Sequence, residues 1–239
     1  MKANPQRREY ALVDGTAVIP LEGIVGRKFD NVLYSSGVTS IDVWQRLVDT
    51  AAQDEEVDSI LLTFDSPGGM VSGTPEAAAA VLRAKAAKPV LAYADGLMDS
   101  AAYWIGSQAD AIYATQSADV GCIGCYLAIL DTSRADEMAG YKLEMFRSGR
   151  FKGMCAAGTS LSDEQRAMLQ ADVDRIAAEF KVAVRGTRGA ISDELMQGQS
   201  YSVEAALAHG LVDAVTDMDA ALRDVADLKT ISANRRGAI

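Results

Sequence analysis

Ser100 stands where a short apolar strand over 89–94 gives way, after a turn carrying Asp95 and Gly96, to a helix-like run from Ala101 to Ala109. A hydroxyl at a helix start lies beside backbone N–H groups that have no intrahelical acceptor, at the positive end of the helix dipole. That place can stabilise the negative charge that develops in acyl transfer. It is equally the place of an ordinary N-cap serine, and this stretch alone does not separate the two. A second stretch, Asp65-Ser66-Pro67-Gly68-Gly69, ends a strand and enters a helix. Paired glycines expose backbone N–H groups with no Cβ in the way, so Gly68 and Gly69 read either as a tight turn or as a cradle for an anion. An oxyanion fits better than a phosphate, because neither G-x-x-x-x-G-K-[ST] nor G-x-G-x-x-G is present.

The base that would activate Ser100 is harder to find. No G-x-S-x-G surrounds the serine. The single histidine, His209, lies in a helix–glycine–strand segment, where it reads as a helix C-terminal residue beside the negative end of the dipole. Without histidine, a neutral lysine is the remaining base. Lysine ordinarily titrates near about 10.4, so a base working near neutrality needs that lowered by roughly 3 pH units, about 4 kcal/mol of selective destabilisation of the ammonium. Burial or neighbouring positive charge can supply it. Lys152 sits in Arg147-Ser-Gly-Arg-Phe-Lys-Gly153, behind an expected strand over 142–147 and close in sequence to two arginines. Lys85 and Lys88 end an exposed-looking helix, Lys142 starts a strand, and Lys181 is on a polar helix face. Taken alone, Lys152 also reads as a plain surface-loop lysine.

These residues need a scaffold, and the composition provides for one. The chain has 239 residues, 49% of them apolar and 23% charged, enough for a substantial core and a charged surface. The formal net charge of −10 argues against a nucleic-acid partner, whose phosphates it would repel. The longest uncharged apolar stretch, Val120 to Leu130, is far short of a bilayer span, and the N-terminus does not read as a signal peptide. A cytoplasmic protein is expected. Three cysteines, Cys122, Cys125 and Cys155, form no disulfide framework. The Cys122-x-x-Cys125 spacing lacks a second ligand pair, so small core residues are expected there and no metal site.

Apolar periodicity places strands at 16–21, 57–64, 89–94, 111–114, 124–130 and 142–147, and helices at 40–52, 73–86, 101–109 and 132–139. Residues 23–37 read as a loop. The run Ile60-Leu61-Leu62 is continuous rather than alternating, as in a strand covered on both faces. Strands and helices in alternation predict an α/β layer fold with largely parallel pairing. A long amphipathic helix follows over 162–185, with Ser162 and Gln165 spaced as a capping box. A short helix over 202–209, an extended piece at 211–215, a last helix over 217–228 and a frayed end complete the chain. The expected organisation is a polar N-terminal arm (1–15), one catalytic domain (16–217), and a C-terminal helix with a polar tail (218–239).

Together these stretches resemble the S49 peptidase family, which includes signal peptide peptidase A and phage head-maturation proteases. The resemblance is carried by Asp65–Gly69 with Val71 and Gly73, Ala94–Asp110, Val120–Gly124, Ser148–Gly153 and Tyr201–Val215, in that order, and spans about residues 16–217. It implies a crotonase/Clp-protease-like fold of repeated β–α units with a long C-terminal helical region. It also implies a serine–lysine dyad, with Ser100 as nucleophile, Lys152 as general base and the Gly68–Gly69 turn as oxyanion hole. No metal or organic cofactor is implied. Family members form rings or domes, so a homo-oligomer is implied, with Ser100 and Lys152 supplied by the same or by neighbouring subunits. Where members often carry a serine near the lysine, this chain has Cys122, a poorer hydrogen-bond partner.

The lack of a membrane span points to the phage or prophage branch, acting on scaffold and head proteins inside an assembling procapsid. The tail after Asp217 then reads as a truncated connection to a scaffold region. The competing readings are a soluble signal-peptide-peptidase-like housekeeping protease and a non-catalytic ring-forming assembly protein. An acyl-CoA enzyme on a similar fold is a further rival, one that would need no Lys152.

Overall fold

A computed structural model describes residues 9–27 and 37–236. The chain divides into two compact units, residues 1–124 with 180–239, and Cys125–Glu179. In the first unit, β1 (Ala11–Val13), β2 (Thr16–Glu22), β3 (Ile24–Gly26) and β4 (Val38–Ser40) lead into helix α1 (Ile41–Gln53). Then follow β5 (Ser59–Ser66), α2 (Thr74–Ala87), β6 (Val90–Asp99), α3 (Ala101–Gly106), β7 (Ala111–Ala114) and β8 (Asp119–Gly121).

The main sheet has the order β1-β2-β5-β6-β7-β10, where β10 is Ala214–Val215. β1 joins β2 antiparallel, and every later pair on this path is parallel. The alternation of strands and helices in the sequence demands crossovers of this kind. β5 lies in the middle and is buried on both faces. Leu61 faces one side with Leu91 and Tyr93, under Ala221 and Val225 of the last helix. Phe64 faces the other side and meets Trp44 of α1 at 6.5 Å between rings. The continuous apolar run over 60–62 follows from this double covering.

Strand β6 departs from the expectation of a turn at Asp95–Gly96. Its first half, Leu91–Ala94, pairs with β7, and its last three residues, Leu97–Asp99, pair with β8. Against β5 the register slips between Phe64 and Ser66, a bulge that absorbs the extra residues. Asp65 Oδ1 accepts the Leu97 N–H at 3.1 Å, and a Cβ on Gly96 would lie 2.5 Å from that oxygen. The strand therefore continues to Asp99 and delivers Ser100 directly.

Several other expectations are corrected. Residues 124–130 and 142–147 form no strands. Several of their large apolar side chains are exposed, Tyr126 at 90% and Phe146 at 93%, and neither stretch pairs with a strand among the described residues. Part of the expected N-terminal arm is the edge strand β1, and residues 1–8 lie outside the described residues. Part of the expected loop is β3, paired in parallel with β4 as a separate two-stranded sheet. Its remainder at 28–36 lies outside the described residues.

In the second unit, α4 (Ser133–Met138) precedes the long helix α5 (Asp163–Arg188), which ends in the first unit. The capping box forms as expected: the Gln165 N–H donates to Ser162 Oγ at 3.3 Å, and the Ser162 N–H donates to Gln165 Oε1 at 3.1 Å. Strand β9 (Ser200–Ser202), α6 (Val203–Ala208), β10 and α7 (Met218–Arg236) complete the first unit. The last helix runs eight residues beyond its expected end at Leu228.

The end of α5 is fixed by Arg188, whose guanidinium reaches both carboxylate oxygens of Asp213 at 2.7 and 2.8 Å and the Gly210 carbonyl at 3.0 Å. Asp213 also accepts the Ile112 N–H at 2.7 Å, tying helix to sheet. Removing the cation leaves that carboxylate unpaired. Because the Asp213 side chain keeps 39% of its exposure, the cost falls below that of a fully buried pair. Arg188→Ala is expected to destabilise by roughly 2–3 kcal/mol, a fall in Tm of about 5–10 °C by thermal melting.

Candidate active site

Ser100 lies at the junction of β6 and α3 with φ 54° and ψ −121°. A capping serine takes an extended backbone and turns its oxygen back onto the helix. Ser100 does neither: its hydroxyl makes no capping hydrogen bond. The conformation is one that non-glycine residues rarely adopt, at a cost of about 1–3 kcal/mol. It is held by the Ser100 N–H, which donates to the Gly121 carbonyl at 2.9 Å, and by the Trp104 N–H, which donates to the Ser100 carbonyl at 2.9 Å. Behind it α3 is entirely buried, and Trp104 stacks on Phe180 of α5 with centroids 4.7 Å apart and planes within 7°.

The glycine turn is packed directly against this serine. A Cβ on Gly68 would lie 2.7 Å from Ser100 Cβ, 2.8 Å from the Ala101 nitrogen and 2.8 Å from the Asp99 carbonyl. Gly68 is thus required by the approach as well as by its φ of +91°. Its own N–H is engaged, donating to Ser66 Oγ at 3.1 Å, while Ser66 donates to the Gly23 carbonyl at 2.6 Å. Gly69 forms a parallel bridge with Val25 in which Val25 uses the Gly68 carbonyl and the Met70 N–H. In such a bridge the groups of Gly69 itself face the opposite side. Gly69 is exposed, and its N–H has no acceptor among the described residues. The Ala101 N–H, at the first position of α3, likewise has none. Sequence reading passed over this second donor, although any residue following a serine at a helix start carries such a free N–H.

Asp99, the residue before Ser100, and its partner Ser200 were also passed over. Asp99 is buried, and Ser200 Oγ donates to it, 2.8 Å from each carboxylate oxygen. Burial holds its carboxyl above the ordinary value of 3.8; the Ser200 hydrogen bond opposes that rise and the charge of Asp119 adds to it. Cys122, at φ 49°, has its thiol pushed up by burial and by the Asp99 charge, which keeps it protonated rather than nucleophilic. Cys122 and Cys125 are half-buried, less enclosed than core residues, and Cys125 Sγ donates to the Val173 carbonyl at 3.3 Å.

The shift of Asp99 has a consequence for stability. The native state binds the proton more tightly than the unfolded chain, so stability falls as pH rises from about 3.8 through the elevated native value. Asp99→Asn removes that penalty while keeping an acceptor for Ser200. Its Tm is expected above wild type at pH 7, with the difference vanishing below about pH 3.8, as read by melting across pH.

Lys152 lies in the second unit, on a turn where its N–H donates to the Gly149 carbonyl at 3.0 Å. The turn is anchored from the capping box: Gln165, itself buried, donates to the Arg150 carbonyl at 2.8 Å, and Arg150 pairs with Glu164 at 2.9 Å. The Lys152 side chain is exposed and makes no side-chain hydrogen bond or ion pair among the described residues. The structure thus brings Ser100, Gly68 and Gly69 together in one unit and places Lys152 in the other. His209 ends α6 and meets Tyr201 edge-on at 5.2 Å. Among the described residues no group of three or more His, Cys, Asp or Glu could hold a metal ion, and no helix is long and apolar enough to cross a membrane.

The family model of peptidase family S49 matches residues 83–232. The chain is 31% identical to capsid assembly protease C of Escherichia phage lambda, over 94% of this chain and 52% of that protein. It is also 31% identical to head-tail preconnector protein GP5 of Enterobacteria phage P21, over 90% of this chain and 45% of that protein. The chain thus spans about half the length of the curated relatives it matches. Among solved structures, ClpP1 of Listeria monocytogenes matches with a TM-score of 0.53 at 11% identity, covering 85% of this chain and 94% of that one. An enoyl-CoA hydratase/isomerase family protein of Silicibacter pomeroyi matches with a TM-score of 0.52 at 17% identity, covering 92% and 80%. At such identities the likeness establishes the fold, which is the crotonase/Clp-protease-like fold expected.

Proposed function

The chain belongs to peptidase family S49, and from that premise we propose that it is a serine endopeptidase with a Ser100–Lys152 dyad, acting on scaffold or head proteins during phage capsid maturation. The observation that carries the reading is the backbone of Ser100, held at φ 54° with a hydroxyl that caps nothing. Lys152 takes the Ser100 proton as Oγ attacks the peptide carbonyl carbon. The carbonyl electron pair becomes an oxyanion, held by the N–H of Gly69 and assisted by that of Ala101. Gly68 serves by its close approach, since its own N–H is occupied by Ser66. The intermediate collapses, the C–N bond breaks, and the Lys152 ammonium protonates the leaving amine. Water then gives a proton to Lys152 and attacks the ester, and the ammonium returns a proton to Ser100 Oγ as the acid leaves. No metal or organic cofactor is needed. The substrate backbone lies extended beside the strand edge at Gly69, whose outward groups can pair with it.

A homo-oligomer is part of the proposal. Tyr126, Leu130, Met138 and Phe146 of the second unit are exposed at 82–93%, more apolar surface than a solitary unit normally leaves to water. The Ser100–Lys152 pair forms within one chain or between neighbouring subunits, and the mixing experiment below separates the two.

The test is cleavage of a disordered protein such as casein by assembled wild type and by Ser100→Ala. Cleavage by wild type alone supports the reading. Equal cleavage by Ser100→Ala overturns the serine, and an inert assembled wild type favours a ring-forming assembly protein. If the site is shared, a 1:1 mixture of Ser100→Ala and Lys152→Ala recovers about a quarter of wild-type activity, the fraction of interfaces with both groups intact.

A further inference from the structure

We propose that Asp99 and Ser200 are positioning residues for Ser100, clamping the end of β6 by a carboxylate–hydroxyl bridge laid across Gly121. The inference rests on the reading of Ser100 as the nucleophile. The bridge is a row across three strands. Asp99 of β6 is in register with Gly121 of β8, and Gly121 is in register with Ser200 of β9. Adjacent strands lie about 4.8 Å apart, so the outer two residues of the row are separated by roughly 9–10 Å between backbones. The Asp99 and Ser200 side chains close that gap, with Gly121 between them in the register. Gly121 is itself held to glycine by its φ of +128° and by its surroundings, since a Cβ there would come within 3.1 Å of the Gln199 carbonyl and 3.2 Å of the Tyr201 ring. Ser200 Oγ then reaches both oxygens of Asp99.

The same row also holds the backbone on either side. The Ser100 N–H donates to the Gly121 carbonyl at 2.9 Å, and the Cys122 N–H donates to the Gln199 carbonyl at 2.7 Å. A strained residue persists only where its surroundings over-determine it. Here the residue before the nucleophile is fixed by its side chain, on Ser200, and the nucleophile itself by its amide, on the Gly121 carbonyl. Pairing β8 with β9 requires no carboxylate, and an apolar residue at position 99 would suit a buried strand end better. The carboxylate is kept beside another acid, Asp119 of β8, and beside the Cys122 thiol, neither of which stabilises its charge. A group that disfavours folding and sits one residue from the nucleophile is explained by what it does for that nucleophile.

The test is kcat and KM on a peptide that wild type cleaves, with Tm and oligomer size measured alongside. A misplacement of about 1 Å at a reacting group costs roughly 10²-fold. Ser200→Ala is expected to lower kcat about 10-fold with KM within about 2-fold, and Asp99→Ala to lower it at least as much. Ser200→Thr and Asp99→Asn, which keep donor and acceptor, are expected to recover most of the loss. The double alanine variant is expected to be no worse than the poorer single one, because both break one bridge. Ser200 is exposed, so its alanine variant folds even if Asp99→Ala does not. A wild type that cleaves and depends on Ser100, with Ser200→Ala retaining full kcat, overturns the bridge alone. A wild type whose cleavage survives Ser100→Ala, or that cleaves nothing, overturns the reading of Ser100 and the bridge with it.

Discussion

Lys152→Ala is expected to lower kcat/KM by about 10²–10⁴-fold, the range for loss of a general base, with Tm and oligomer size unchanged. Stability should survive because the turn is held by backbone and by Gln165 rather than by the lysine side chain, which is exposed. Lys152→Arg should fail equally, since a guanidinium stays charged and cannot accept the serine proton. Steady-state kinetics on a cleaved peptide, with size-exclusion chromatography of each variant, reads both expectations. An alanine variant within 10-fold of wild type would remove Lys152 from the mechanism.

Gly68→Ala is expected to damage both stability and turnover. Its methyl group would stand 2.7 Å from Ser100 Cβ, and neither the Ala101 nitrogen nor the Asp99 carbonyl, both at 2.8 Å, can step aside without moving the nucleophile. Overpacking and the left-handed backbone together cost roughly 2–4 kcal/mol, and displacement of Ser100 should cost at least about 10²-fold in kcat. Gly140→Ala separates the two causes. That glycine also has a positive φ, +82°, but nothing lies within 4 Å of the added carbon. It should cost only about 1 kcal/mol and leave kcat intact. Denaturant melts and kinetics on both variants check this; equal damage in the two would place the fault in the backbone rather than in the contact with Ser100.

The parts of this molecule legible in its sequence are those that local chemistry decides. The run Ile60-Leu61-Leu62 announced a strand covered on both faces, and Ser162 with Gln165 announced the helix start that their reciprocal hydrogen bonds now make. Ser100, Gly68 and Gly69 were marked by residue type and spacing, and the fold packs them together. The failures have a common cause. Residues 124–130 and 142–147 carry strand-like apolar patterns, yet those side chains face outward, and composition does not say whether an apolar face is met by its own chain. Asp95 and Gly96 look like a turn, but the Asp65 carboxylate, thirty residues earlier in sequence, holds them in a bulge within a continuing strand. Asp99 and Ser200 lie about a hundred positions apart, joined only because β8 brings Gly121 between them. The capping and nucleophile readings of Ser100 differ in backbone angles, which residue identity does not reveal.

The central claim is that Ser100 is the nucleophile. The most direct test is to treat assembled wild type with a fluorophosphonate probe and locate the adduct by peptide mass spectrometry. The account predicts one adduct, on the peptide containing Ser100, formed with loss of fluoride and in step with loss of cleavage. It also predicts that Ser100→Ala neither labels nor cleaves. An adduct on another residue that tracks the loss of activity, with cleavage persisting in Ser100→Ala, would contradict it.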